Sequence, residues 1–221
     1  SYYDSGAWRA TWGGEGGGVL LNQCPHNLDL WQWICGMPSK VTAFLHNGKW
    51  HDIEVEDDVT AYVEYPNGAT GVFITSTGDA PGTNRLEVTL DGGKLVCDGK
   101  KLWMYKLDEF VDDFSAHWKN GFGAPGCTEI EVETDGENPQ HAGVLRQFAA
   151  HLLRGEPLTA LGEEGINGLM ISNAMHLSSW TGKTVTLPID EDLFLEELNK
   201  RRATSRLKTG ASVTLDTEGT Y

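Results

Sequence analysis

Val59-Thr60-Ala61-Tyr62-Val63-Glu64-Tyr65-Pro66-Asn67-Gly68-Ala69-Thr70-Gly71-Val72-Phe73-Ile74-Thr75 sets two runs rich in β-branched and aromatic residues on either side of a Pro-Asn-Gly turn. That pattern reads as a β-hairpin. A turn this short joins antiparallel neighbours, since a parallel return needs a dozen or more residues. Outward from the hairpin, further strands read over 41–45, 86–90, 94–97, 102–105 and 128–132, with a last one over 184–187. Asn47-Gly48, Asp91-Gly92-Gly93 and Asp98-Gly99 supply turn signals between them. Helical periodicity lies at the two ends. Leu20, Cys24, Leu28, Trp31 and Cys35 form one apolar stripe over 19–35, with Pro25 expected to kink that helix or delay its start. Further helices read over 140–153, 163–180 and 191–202, the first two stopped by Gly155 and Gly182. Strands in a run followed by helices make an α+β layer architecture, one sheet with helices on one face, rather than the βαβ alternation of a nucleotide-binding sheet.

The chain has 221 residues, with 17 Lys+Arg against 32 Asp+Glu, a formal net charge of −15. It is long enough for a substantial core. So acidic a chain gains nothing from counterion release on DNA or RNA and is repelled by anionic membranes. No apolar run reaches the ~18 residues of a membrane span. Cys24, Cys35, Cys97 and Cys127 form no C-x-x-C pair, which argues against a zinc ribbon or redox motif and for reduced thiols in a cytoplasmic setting. From Thr204 onward the polar content rises, so a domain over 1–203 and a polar tail over 204–221 are expected.

Gly16-Gly17-Gly18 invites a phosphate-site reading, but the spacing fits neither a dinucleotide fingerprint nor a P-loop. Close backbone approach, to a strand or to a ligand, is the remaining role. Asn22, His26 and Asp29 fall at i, i+4 and i+7, one polar stripe if a single helix carries them. The functional reading is a general acid/base histidine at a cleft, oriented by its neighbours. The alternative is a hydrogen-bonded core histidine, which spacing alone favours. Two candidate ligands, His26 and Asp29, are too few for a zinc site. The other histidines, His176 among them, read as exposed polar-face positions, and Ser178-Ser179 lacks the nucleophile-elbow pattern. Tyr2, Tyr3, Trp8 and Trp12 cluster near the start, where aromatic rings suit either a sugar platform or an ordinary core.

Trp8-Arg9 followed by Gly16-Gly17-Gly18-Val19-Leu20-Leu21-Asn22-Gln23-Cys24-Pro25-His26-Asn27-Leu28-Asp29 resembles the substrate domain of the Gfo/Idh/MocA oxidoreductases. Trp33, Gly36-Met37-Pro38, Asp57-Asp58-Val59, Asn67-Gly68, Arg154-Gly155-Glu156-Pro157 and Glu164-Gly165 continue the likeness to about residue 200. The resemblance implies an open-faced, predominantly antiparallel sheet with helices packed on one face. It also implies an N-terminal Rossmann domain, absent from this chain, that binds NAD or NADP and carries a catalytic Lys in a Glu-Lys-Pro segment. No cofactor-binding residue and no metal are then expected here, and the fragment is expected to be inactive alone.

By the same resemblance His26, with Asn22, is the catalytic pair, and Trp8, Arg9, Asn22 and His26 contact a sugar, sugar derivative or polyol. Many family members have Asp where this chain has Asn22, and Asn orients an imidazole without lending it charge. Arg9 is suited to a substrate carboxylate or phosphate. Homo-oligomerisation through the sheet face is the implied assembly. The rival reading is a non-catalytic saccharide-binding or dimerisation module of the same fold.

Overall fold

The computed structural model describes residues 2–99 and 101–209. In chain order a 3-10 turn, Tyr2–Asp4, precedes α1 (Val19–Asn22), α2 (Pro25–Cys35), β1 (Lys40–Asn47), β2 (Glu56–Glu64), β3 (Thr70–Ser76), β4 (Leu86–Leu90), β5 (Gly93–Cys97) and β6 (Leu102–Leu107). Next come α3 (Val111–His117), β7 (Cys127–Val132), α4 (Gln140–Arg154), α5 (Gly165–Thr181), β8 (Val185–Thr186) and α6 (Glu191–Arg202). The chain divides into two compact units, one of Ser1–Asp79 with Ala160–Tyr221 and the other of Ala80–Thr159.

The first unit holds the sheet β3-β2-β1-β8, antiparallel throughout. Its inner face is three rows across the pleat: Val41–Val63–Gly71, Ala43–Ala61–Phe73 and Leu45–Val59–Thr75. Val41, Ala43, Val59, Ala61 and Val63 are buried. Small residues in these rows let helices approach closely, and α5 lies on this face with Ile171, Ala174, Met175 and Leu177 all buried. Trp31 of α2 stacks on Phe73 at 5.6 Å, and a Cβ on Gly71 would come within 2.9 Å of the same indole. β8 is short, so β1 runs on past it. The amides of Ala43 and Leu45 donate instead to the hydroxyls of Ser178 and Ser179 on α5. That is the role of the serine pair: it satisfies an otherwise open strand edge.

The second unit holds the antiparallel sheet β4-β5-β6-β7, together with α3 and α4. The α+β class and the antiparallel pairing are as the sequence indicates, but the strand run is shared between two four-stranded sheets rather than one. The break falls between β3 and β4, where the nine residues 77–85 make no strand.

Two other differences have local causes. The helix expected over 19–35 is two helices. Pro25 has no N–H to donate to the preceding turn, so α1 ends at Asn22 and α2 restarts with proline in its first turn. The short helix α3 carries too few periodic residues to show in the pattern and rests on one buried residue, Phe114, stacked on Trp118 at 4.8 Å. Of the expected tail over 204–221, residues 205–208 bond to the start of the chain. Gly13 N–H donates to Ser205 Oγ at 2.8 Å, Lys208 N–H to the Ala7 carbonyl at 3.0 Å and Lys208 Nζ to the Tyr3 carbonyl at 2.6 Å. Residues 210–221 lie outside the described residues.

Candidate functional site

The leading segment has little regular structure of its own, and carboxylates organise it. Glu15, a single charge set among glycines, accepts from the Ala10 amide, from Asn22 Nδ2 at 2.7 Å and from Arg9 Nη1 at 3.2 Å. The Arg9 guanidinium carbon lies 4.5 Å from the Tyr2 ring centroid and 4.6 Å from that of Trp8, within cation–π range of both. Arg9 Nη1 also donates to the Tyr2 hydroxyl, which in turn donates to Asn22 Oδ1, each at 2.5 Å. Tyr2, Arg9, Glu15 and Asn22 thus close a ring of hydrogen bonds, with Trp8 stacked against it. Arg9 is charge-compensated inside this ring, so its first task is to hold the corner together; its Nε is buried with no partner among the described residues.

Trp8, Arg9 and Asn22, singled out from the sequence, are therefore brought together. His26 is not joined to them. It sits exposed in the first turn of α2, and the break before Pro25 puts it on a different helix from Asn22. Asn22 spends its amide on Tyr2 and Glu15, and Asp29 accepts from Gln32 Nε2 at 3.0 Å. The core-histidine alternative for His26 is likewise overturned by its exposure. Sequence reasoning passed over Tyr2 and Glu15 as partners in the corner. The one available signal was the lone acid within Gly13-Gly14-Glu15-Gly16-Gly17-Gly18.

Beneath the corner lies a second group that the sequence did not reveal. His176, expected to be exposed, is 1% exposed, and Glu56 is fully buried beside it, with Nε2 3.1 Å from Oε2. The two groups lie in close contact, although Nε2 makes no aligned hydrogen bond. His176 Nδ1 donates to the Ser172 carbonyl at 2.9 Å, the only sense open to a nitrogen facing an oxygen acceptor. Glu56 accepts from the Gly18 amide at 2.8 Å on each oxygen and from the Leu20 amide at 3.1 Å. Burial by itself would raise the Glu56 carboxyl; His176 and the Gly18 amide outweigh it and hold the carboxyl below its ordinary value. The glycines follow from this packing. A Cβ on Gly18 would lie 2.1 Å from the Glu56 carbonyl oxygen, and one on Gly14 2.2 Å from the Trp8 carbonyl oxygen.

The corner offers one exposed indole, a compensated cation and a primary amide, a set suited to a hydroxyl-bearing ring that stacks on one face and hydrogen-bonds at its edge. It does not suit a dinucleotide phosphate. The amides at the start of α1 that would have cradled one are already taken by Glu56. No group of three His, Cys, Asp or Glu among the described residues is placed to hold a metal ion. Two broad, shallow cavities of about 380 and 420 Å³ lie on the β4–β7 sheet and include none of the residues singled out above.

Residues 1–96 match the family model described as GFO/IDH/MocA C-terminal domain. No curated protein matches the chain in sequence. Among solved structures, the WlbA dehydrogenase of Chromobacterium violaceum, in complex with NADH and UDP-GlcNAcA, is 26% identical, with a TM-score of 0.58 over 86% of this chain and 51% of its own. The WlbA dehydrogenase of Bordetella pertussis, with the same two ligands, is 21% identical, with a TM-score of 0.58 over 86% and 50%. A levoglucosan dehydrogenase in complex with NADH and levoglucosan is 17% identical, with a TM-score of 0.64 over 83% and 54%. The chain thus spans about half the length of the solved structures it matches.

Proposed function

We propose that this chain, of which residues 1–96 match the GFO/IDH/MocA C-terminal domain model, is the substrate-binding part of an NAD(P)-dependent oxidoreductase acting on a hydroxyl of a sugar, sugar derivative or polyol. The observation that carries the reading is the Trp8–Arg9–Tyr2–Glu15–Asn22 corner, built entirely from residues within the matched segment. NAD or NADP, held by a separate Rossmann domain, supplies the hydride acceptor or donor. Trp8 stacks on the substrate ring, Asn22 bonds to a ring hydroxyl, and Arg9 with Glu15 keeps both in place. His26 exchanges the proton of the reacting hydroxyl, for which its exposure on the first turn of α2 suits it. The chain by itself does not turn substrate over.

The exposed outer face of β1–β3, where Phe44, Tyr62, Val72 and Ile74 stand on neighbouring strands, is the face through which copies associate in this reading. All four cysteines are free, which suits a reducing, cytoplasmic setting.

A second reading has one observation in its favour: His26 shares no hydrogen bond with Asn22 or with the corner. On that reading the module binds saccharide without catalysis. Fluorescence titration of the chain with UDP-glucuronic acid, with levoglucosan and with NADH tests the proposal. Saturable quenching by a saccharide, lost in Trp8→Ala, is expected, with no response to NADH. Micromolar binding of NADH to this chain would overturn the division of labour. His26→Ala in a protein that includes the Rossmann domain separates the two readings, since unchanged turnover leaves only the binding module.

A further inference from the structure

We propose that Glu56, clamped by His176, is the positioning residue of the saccharide corner, setting through α1 where the Asn22 amide points; this rests on the corner being the binding site. The connection is short and continuous. Both Glu56 oxygens take the Gly18 amide and one also takes the Leu20 amide. The Gly18 carbonyl, fixed by that hold, then accepts the amides of Leu21 and Asn22, each at 3.1 Å. The Asn22 side chain leaves the last residue of this single turn and reaches Tyr2 on one side and Glu15 on the other.

A turn of four residues has no stability of its own, because its nucleation cost is not recovered over so short a length. Its geometry is imposed from below. Glu56 is the first residue of β2, paired with Asn47 of β1, and is fully buried. His176 is gripped in turn by the Ser172 carbonyl and by the rings of Trp12 and Trp180, with centroids at 6.0 and 5.2 Å.

The hold on α1 depends first on reach, because Glu56 must meet the Gly18 and Leu20 amides and His176 together. With His176 Nδ1 donating to Ser172, a neutral imidazole presents a lone pair at Nε2. Gln at position 56 keeps the reach: its carbonyl oxygen holds the Gly18 and Leu20 amides and its NH2 faces Nε2, at the loss of the second contact to Gly18. Asp keeps the charge but withdraws the carboxylate by one methylene, so it cannot span the amides and His176 together. The expected order is therefore Glu, then Gln, with Asp the most defective. A charge-based role places Asp ahead of Gln.

The test follows the Asn22 side-chain NH2 resonances by NMR in the 221-residue chain, with Glu56→Gln, Glu56→Asp and Glu56→Ala compared. In the parent and in Glu56→Gln the pair is expected to be dispersed and protected by its bond to Glu15. In Glu56→Asp it is expected to move toward the free-amide position and lose about tenfold in protection from exchange. Glu56→Ala extends the series if it folds, and Gln against Asp decides without it. Unchanged Asn22 signals in Glu56→Asp, or an equal loss in Glu56→Gln, would overturn the proposal. Levoglucosan and UDP-glucuronic acid are added to the parent chain separately. Failure of both to perturb Asn22 or Trp8 would count against the binding reading alone, because the Gln–Asp comparison is made without ligand.

Discussion

At the scale of single residues, the corner depends on contacts that tolerate little change of shape. Gly18→Ala places a methyl 2.1 Å from a backbone oxygen of the sheet, so strand and turn must separate. A loss of about 1–3 kcal/mol is expected, measured as a lower urea midpoint with unchanged slope. His176→Ala leaves the fully buried Glu56 carboxyl facing a cavity instead of the imidazole, and breaking a buried pair from one side costs about 3–5 kcal/mol. Trp8 behaves differently. Its indole is 47% exposed and stacks on Arg9, so Trp8→Ala is expected to leave the melting temperature close to that of the parent while removing the saccharide response.

At the scale of elements, the segment joining β1 to β2 is tied down by neighbouring carboxylates with distinct tasks. Asp57 accepts the amides of Lys49, Trp50 and His51 and so closes the loop after β1. Glu54 accepts the Trp12 amide at 3.1 Å, the Ser205 hydroxyl at 2.6 Å and the Arg206 amide at 2.8 Å, joining the two ends of the described chain. Ser205→Ala removes one of these links and also the bond from the Gly13 amide, and is expected to destabilise the first unit by about 1 kcal/mol per bond. A double-mutant cycle with Glu54→Gln should show coupling between the two positions. Independent, additive effects would mean the strap contributes nothing to the leading segment.

At the scale of the whole molecule, acid is the expected route to unfolding. Burial works to raise the carboxyls of Glu54, Glu56 and Asp58, yet each is held below its ordinary value: by Ser205 and backbone amides, by His176 and Gly18, and by Lys49 and Trp50 respectively. A carboxyl lowered on folding stabilises the native state above its unfolded value, about 4.3 for Glu. That stability is lost as pH falls through the lower, folded value, since the unfolded chain then binds more protons. Denaturation curves taken from pH 6 downward should show falling stability below about pH 5, with a shallower fall in Glu56→Gln. Assembly belongs to this scale too. Phe44 is 67% and Ile74 70% exposed, and both stand opposite Thr60 in one row of the outer sheet face. Light scattering is expected to give a dimer or larger for the parent and a monomer for Phe44→Glu with Ile74→Lys. A parent that is monomeric throughout would remove this face from the interface.

The sequence by itself determined what depends on near neighbours. Pro66-Asn67-Gly68 set the β2–β3 hairpin, Asp91-Gly92 the β4–β5 hairpin, and Gly155 and Gly182 the ends of α4 and α5, both glycines with positive φ as a left-handed stop requires. Residues 1–96, which include Trp8, Arg9 and Asn22, match a family model through short stretches of neighbouring positions in the same way. Tertiary structure decided which distant groups meet. Nothing near His176 in the chain marks it as the partner of Glu56, 120 positions earlier, because burial of a polar group is settled by what another element brings against it. The same holds for Ser178 and Ser179 on the β1 edge and for Glu15 between Arg9 and Asn22. Periodicity even misled at Asn22 and His26, where a ring closure at Pro25 breaks the helix that would have aligned them.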